Sequence, residues 1–288
     1  MTDTGRENYT LLLFLLLLLV INIYLVRLDV QSRKTGLTFA MLDVGQGDAL
    51  FVESLTGTQV LIDAGPARKI LGSLSQVMSP FDRSIDAIII TNPDADHISG
   101  FSDILKKYKV GMVLEPGTVN DSTVFKNLKD KITNQNIPII LAKMGTKLDL
   151  GGGAYIDILF PDRDVSTFNP NDGSVVARLS YGETSIMLTG DSTIKTEKII
   201  LEDFSKEVLN STVLKIGHHG SRTSSSDAFV KSVTPAYALI SNGKDNKYGH
   251  PHQEVLDLLN EVGAKILRTD LLGTIVMKCD RMAVCEIN

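Results

Sequence analysis

Tryptophan is absent from this 288-residue chain, cysteine occurs twice and histidine five times. The missing tryptophan excludes nothing about fold or function. The two cysteines, Cys279 and Cys285, both lie near the C-terminus. A pair cannot build a disulfide framework or a cysteine-rich zinc site. They read as two half-buried thiols in a terminal hairpin. A basic excess is lacking too, because the net charge is −5. Residues 1–34 carry four basic and three acidic side chains, so the rest is slightly more acidic still. This balance argues against broad non-specific adhesion to nucleic acid, and it leaves room for a local basic groove. Beyond residue 36 there is no low-complexity stretch and no repeat of fixed period. At this length the chain can bury a substantial core, as one large domain or two small ones.

Long apolar runs are confined to the N-terminus. Residues 8–26 are 19 positions without a charge, nine of them leucine. As a helix this run spans about 28 Å, close to the hydrocarbon thickness of a bilayer. It is longer than the core of a signal peptide, and no small-residue cleavage site follows. The reading is an uncleaved single-span anchor, with a short polar linker at 27–36. One basic residue precedes the span and three follow it, which by the positive-inside rule puts the following domain in the cytoplasm. A signal-like N-terminal segment, in contrast, leads an exported domain. Of the two, the extracytoplasmic side is preferred.

The remainder alternates strand and helix patterns. Strands are expected at 38–42, 50–53, 59–62, 85–91, 111–114 and 137–141, with helices at 99–108 and 122–134 between the later ones. A β-rich middle covers 147–150, 154–159, 174–181 and 184–188, followed by a helix at 195–203. Strands at 213–216, 237–240 and 265–268 then alternate with helices at 227–233 and 252–262. The chain closes with strands at 273–278 and 283–287. Interspersed strands and helices in both halves predict a layered α/β fold.

Five strand ends carry the chemistry. The apolar run ending at Ile90 discharges Asn92, Asp94, Asp96 and His97 within a few residues. One acid suits a helix cap; two acids and an imidazole exceed what a cap needs. The other four histidines are clustered as His218 and His219, then His250 and His252. Such segregation points to one local use of imidazole, and metal binding is the natural one. The Gly-rich turn at 43–48 ends in Asp48. Asp63 lies before a glycine at a strand end, where it either orients a ligand from behind or serves as a turn acid. Asp191 also follows a strand and a glycine. Aspartate and histidine donors without cysteine suit Zn²⁺, Mn²⁺ or Fe²⁺, often as a pair of ions.

In this order the segments resemble the metallo-β-lactamase superfamily, and within it the hydrolase domain of ComEC-type DNA-internalisation competence proteins. The matching segments are 42–49 (LDVGQGDA), 61–65 (LIDAG), 91–100 (TNPDADHISG), 171–179 (NDGSVVARL), 188–191 (LTGD), 214–221 (LKIGHHGS) and 248–251 (YGHP). The resemblance covers about residues 37–288. It implies a four-layer αββα sandwich with one or two divalent ions, Zn²⁺ or Mn²⁺, at the rim between two sheets. It also implies a standalone hydrolase domain at 36–288, borne on an anchor and linker at 1–35. No protein partner follows from it.

The superfamily's strand-end pattern is His-x-His-x-Asp-His. Asn92 and Asp94 stand in the two leading histidine places here, and Asp96 and His97 match. The resemblance therefore assigns Asp96, His97 and His250 to one metal position, with Asp191 bridging. Asp94, Asp191 and one of His218 and His219 remain for the other. Asn92, Asp63 and Asp48 are weak ligands or supports behind the ligands. A carboxylate-rich site of this kind tilts selectivity from Zn²⁺ toward Mn²⁺. The expected activity is hydrolysis of a phosphodiester, DNA by resemblance, through a metal-activated water. Asp96 accepts the proton, and His218 or His219 serves the leaving group. The competing expectations are a degenerate, membrane-anchored binding module and an esterase or lactamase-like hydrolase of a small molecule.

Overall fold

In the run from Ser84 to Ile90 the inner positions are apolar without alternation, because the strand they form is covered on both faces. Ala87 and Ile89 point into the space between two sheets, whereas Ile88 and Ile90 pack under helices on the opposite face. The computed structural model that shows this describes residues 3–32, 36–282 and 285–287.

Two compact units are distinguished, Met1–Thr35 and Gly36–Asn288. The first contains one helix, Asp3–Ser32. Its stretch Tyr9–Val26 has a mean hydropathy of 2.6 and is long and apolar enough to cross a membrane. The one amide in that stretch, Asn22, donates to the Leu18 carbonyl at 2.8 Å, so the helix satisfies its own polar side chain. The polar linker expected at 27–36 is helical as far as Ser32, and residues 33–35 lie outside the described residues.

The second unit holds fifteen strands among the described residues, in two sheets. The first sheet is built from β1 (Leu37–Met41), β2 (Leu50–Glu53), β3 (Gln59–Ile62), β4 (Ser84–Ile89), β5 (Lys109–Glu115) and β6 (Ile139–Leu141). The second takes β7 (Lys147–Gly151), β8 (Ala154–Phe160), β9 (Val176–Tyr181), β10 (Thr184–Leu188), β11 (Val213–Lys215), β12 (Tyr237–Ile240) and β13 (Lys265–Arg268). The chain then returns to the first sheet with β14 (Ile275–Cys279) and β15 (Glu286–Ile287). The orders are β15-β14-β1-β2-β3-β4-β5-β6 and β13-β12-β11-β10-β9-β8-β7. Within each sheet one half is antiparallel and the other parallel: β3 to β6 in the first, β10 to β13 in the second.

Three apolar layers hold four structural layers together. Phe39, Val60 and Ile62 meet Ile156, Leu179 and Ile186 between the sheets. Phe51, Leu61 and Ile88 pack under Phe101, Ile104 and Leu128 on one outside face. Leu214, Ala238 and Ile240 pack under Ile200, Phe229 and Leu259 on the other. Each fully buried Leu, Ile or Phe here contributes about 1.5–3 kcal/mol of transfer free energy. The result is the expected αββα sandwich.

Several local expectations are corrected. The helix expected at 99–108 is Phe101–Lys107, preceded by a separate short helix, Ala95–Ile98. The break is at Gly100, where a Cβ would fall 2.0 Å from the Ala64 carbonyl oxygen. Its N–H donates to the Gly65 carbonyl at 3.0 Å, tying the helix to the turn after β3. The closing strand expected at 283–287 is Glu286–Ile287, with residues 283 and 284 outside the described residues. Cys279 and Cys285, read as thiols, form a disulfide instead. The antiparallel register that pairs Met277 with Ile287 and Lys278 with Glu286 puts the next two positions, the cysteines, directly opposite.

Candidate metal centre

The parallel strands deliver their C-terminal ends to one rim, where ligand sites of open α/β sheets gather. Six turns meet there: those after β1, β3, β4, β10, β11 and β12.

After β4, Asn92 is fully buried and its side-chain oxygen accepts the Asp94 N–H at 2.9 Å. It shapes the turn, as Asn does when it bonds to its own backbone two residues on. Asp94 occupies the N-cap position of the helix Ala95–Ile98, yet its carboxylate makes no capping bond. It accepts from Asn120 Nδ2 at 3.3 Å instead. Burial raises the Asp94 pKa. Asp96 follows in the first helical turn with 37% of its side chain exposed. Burial opposes its charge, but the contact with His219 and the charge of His97 hold its pKa below the usual range.

His97 is the best-anchored imidazole. Its Nδ1 lies 2.8 Å from Asp63 Oδ2, and Asp63 also accepts the Thr91 N–H at 2.8 Å and the Thr91 hydroxyl at 2.5 Å. This clamp aims Nε2 at Asp191 Oδ2, 3.1 Å away. Burial disfavours a charged His97, but Asp191 and Asp63 outweigh it and carry its pKa well above 6.5. Burial also dominates at Asp63, whose pKa is raised.

His218 and His219 form a tight turn after β11 with left-handed backbones, at φ 47° and φ 57°. Non-glycine residues held so carry strain of about 1–3 kcal/mol each, a feature that clusters at functional sites. The His219 Nδ1 donates to the Ser241 carbonyl at 2.9 Å and sits 3.3 Å from Asp48 Oδ1. Its Nε2 faces Asp96 Oδ2 at 3.4 Å and Asp191 Oδ2 at 3.6 Å. Against the effect of burial, Asp191 and Asp48 push the His219 pKa up to about 10. Asp48 reaches this place because Gly47 lets its turn press on Asp96: a Cβ there would fall 2.2 Å from the Asp96 carbonyl oxygen.

The ligating atoms of Asp96, His97, Asp191 and His219 all lie within 4.8 Å of one another. Among the described residues, His97 Nε2, His219 Nε2 and Asp191 Oδ1 are buried without a hydrogen-bond partner. Two imidazoles with their Nδ1 atoms engaged from behind thus turn basic nitrogens toward carboxylate oxygens. Buried polar atoms require partners. In the metal-free protein the raised pKa values of His97 and His219 leave protons on these nitrogens, facing Asp191 and Asp96; a divalent cation fits the same place by displacing those protons. Two nitrogens and two oxygens suit a divalent transition metal.

Residues 42–244 match the metallo-beta-lactamase superfamily. The chain belongs to that superfamily. Among its relatives, ComE operon protein 3 of Bacillus subtilis (strain 168) is 34% identical over 253 residues, 82% of this chain and 32% of that protein. Recombination protein 2 of Haemophilus influenzae is 28% identical over 250 residues, 85% of this chain and 29% of that one. The chain spans about a third of the length of these curated relatives. Among solved structures, CmlA, a diiron beta-hydroxylase from Streptomyces venezuelae, superposes with a TM-score of 0.56 at 15% identity. That match covers 85% of this chain and 54% of CmlA, and it is a likeness of fold.

Against the superfamily's His-x-His-x-Asp-His pattern, this member keeps the last two groups in the cluster, whereas each of the first two gives a side-chain oxygen to another group. Asn92 gives its oxygen to the backbone, and Asp94 gives a carboxylate oxygen to Asn120. His250 borders the cluster: its ring is 5.5 Å from that of His218 and 6.4 Å from that of His219. Burial, then the neighbouring imidazoles, lower its pKa to about 4, so it stays neutral. His218 is partly exposed, 3.8 Å from Asp191 Oδ2 and 3.2 Å from the Thr223 hydroxyl. Asp48 and Asp63 stand behind the two central imidazoles.

One residue of this centre carried no expectation. Lys215, the last residue of β11, is fully buried. It pairs with Asp48, donates to the Gly190 carbonyl at 2.7 Å and lies 3.9 Å from Asp191 Oδ1. A lysine closing an apolar strand just before two histidines was the available signal. A buried ammonium needs paired carboxylates, and the site is where this fold keeps them.

Proposed function

We propose that this chain is a metal-dependent hydrolase of phosphodiesters, with residues 1–35 as a membrane anchor and linker and residues 36–288 as the hydrolase domain. The observation that carries the reading is the convergence of Asp96, His97, Asp191 and His219 on one point within 4.8 Å. These four hold one divalent ion, Zn²⁺ or Mn²⁺. Asp94, His218 and His250, bordering the same space, are the donors left for a second. When bound, such an ion acidifies water and polarises a phosphoryl oxygen.

The protein's own groups do the rest. Asp63 and Asp48 fix the ring orientation and tautomer of His97 and His219, as carboxylates behind metal-binding histidines do. Asp96, the most exposed of the four and ionised, accepts the proton of the attacking water. His219 is buried with its Nδ1 engaged, so it acts as ligand rather than as proton donor. Burial, together with the nearby His219 and Lys215, holds the His218 pKa below 6.5. His218 therefore meets the substrate neutral and donates a hydrogen bond to the leaving oxygen, which takes the proton that Asp96 received from the water.

DNA is the favoured substrate, supported by the kinship with competence proteins and with a protein named for recombination. The apolar helix at Tyr9–Val26 supports membrane attachment. The disulfide of Cys279 with Cys285 supports an extracytoplasmic hydrolase domain, because such bonds persist in oxidising compartments. The test uses the detergent-solubilised full chain, stripped of metal and reloaded with Mn²⁺ or Zn²⁺. Metal-dependent cleavage of single-stranded DNA or a simple phosphodiester is expected, and Asp96→Ala should abolish it. Turnover that survives in Asp96→Ala, or a chain that retains no metal, refutes the reading.

A further inference from the structure

Tyr248 is an aromatic residue left open at the mouth of the centre, with 54% of its surface exposed. The backbone of this loop is held by hydrogen bonds. Asn246 accepts the Tyr248 N–H at 3.2 Å and the His250 N–H at 3.0 Å. The same amide donates to the Gly243 carbonyl at 3.0 Å and the His250 carbonyl at 2.6 Å. At its base, the Gly243 N–H donates to Gln46 Oε1 at 3.2 Å, so the loop rests on the turn after β1. The ring itself stacks on His250 at 5.8 Å between centroids and 25° between planes. His250 in turn lies 5.5 Å from His218.

The loop carries two lysines, Lys244 and Lys247, against one carboxylate, Asp245, in a chain whose net charge is −5. Lys247 Nζ is 5.1 Å from the Tyr248 ring centroid. Lys244 is exposed in the same loop. Lys69 overhangs the turn on which the loop rests: a Cβ at Gly45 would lie 3.5 Å from its ammonium. An aromatic ring more than half exposed, backed by His250 beside the metal-ligand cluster and with the Lys247 ammonium over it, has the two elements of single-strand recognition. Bases stack on aromatic faces, and phosphates follow cations.

We propose that Tyr248 is a stacking platform for the base next to the scissile phosphate of a single-stranded nucleic acid, with Lys244 and Lys247 meeting adjacent phosphates. The inference rests on the phosphodiesterase reading and names its substrate-selecting residue. A duplex offers no free base face in its interior, so the platform discriminates against it. Sugar identity does not enter the argument, and DNA and RNA strands share the chemistry.

The test is fluorescence anisotropy of labelled oligothymidylate on the metal-free, detergent-solubilised full chain. Tyr248→Ala should weaken binding about tenfold, within the range of one lost base–aromatic stack, and Tyr248→Phe should stay within about twofold. An abasic strand of equal length should bind Tyr248→Ala and the unsubstituted chain alike. Tyr248-dependent binding of oligouridylate supports the same assignment with the other sugar. Equal losses on base-bearing and abasic strands, no loss at all, or duplex bound as tightly as single strand overturns it. Because Tyr248 is exposed, its variants should melt within a degree or two of the parent chain. Base-dependent binding without turnover would fail the hydrolase reading alone. Turnover with a strand affinity indifferent to Tyr248 would fail this inference alone.

Discussion

The two central imidazoles are held by the same kind of group in opposite electrostatic settings. Behind His97 stands Asp63, whose partners besides that imidazole are neutral, the N–H and hydroxyl of Thr91. Behind His219 stands Asp48, paired with the ammonium of Lys215. Both carboxylates are buried. Burial raises the pKa of Asp63, and His97 and Thr91, which pull it down, do not outweigh it. Burial works on Asp48 too, but Lys215 and His219 bring its pKa below the usual value. Both carboxylates face an imidazole; beyond it Asp63 has only the Thr91 donors, whereas Asp48 has the amine of Lys215. The geometry presented to a metal is similar, but the consequences of breaking each support are not.

The largest expected effect is at the charged end. Lys215→Met leaves Asp48 buried without its cation, and breaking a buried pair in this way costs about 3–5 kcal/mol. Chemical denaturation of the metal-free chain measures it. Removing both partners together, as Asp48→Asn with Lys215→Met, should recover most of that loss. If Lys215→Met is no worse than Asp63→Asn, the contrast between the two ends is wrong.

The neutral end should show its effect in metal binding rather than in folding. Asp63→Asn keeps the shape and loses the charge behind His97. Loss of such a support typically weakens metal affinity about 10–100-fold. Titration against a chelator of known affinity reads this directly. An unchanged affinity would mean that Thr91 and the packing around His97 orient the ring without Asp63.

A third effect is on pH dependence and concerns both ends at once. In the metal-free protein the carboxylates raise the pKa of His97 and of His219, the latter to about 10. A group whose pKa rises on folding stabilises fully below its unfolded value, near 6.5, and loses that contribution as pH climbs through the folded value. The metal-free Tm should therefore fall between pH 6.5 and 10, by about 2–4 °C for each kcal/mol lost. A bound ion replaces those protons, so the loaded protein should be flatter across this window, and metal affinity should rise with pH. A metal-free Tm that rises over the window would reverse the sign of the argument.

Much of this was legible from local chemistry. A continuous apolar run ending in acids and a histidine marks a doubly covered strand reaching a site, and β4 is that strand. The helix expected at 122–134 is Thr123–Asn134, with Ser122 outside it as the cap whose hydroxyl accepts the Phe125 N–H. Clustering of histidine foretold that His97, His218, His219 and His250 would meet. The parts that were not legible depend on which way a side chain turns. Asn92 and Asp94 occupy ligand places in the pattern, yet each gives a side-chain oxygen to a nearby N–H. Cys279 and Cys285 looked like ordinary thiols until the hairpin register set them opposite one another.

Composition and order alone determined the layered fold, the apolar N-terminal span and the residues that gather at the rim. Those follow from periodicity and from the desolvation of apolar side chains, which act over a few residues at a time. Only the tertiary structure decided which carboxylates face a cation and which stand behind an imidazole. The same structure placed Lys215 beneath them and Tyr248 above. These are questions of pairing between groups far apart in the chain, and the cost of burying charge resolves them only once every partner is in position.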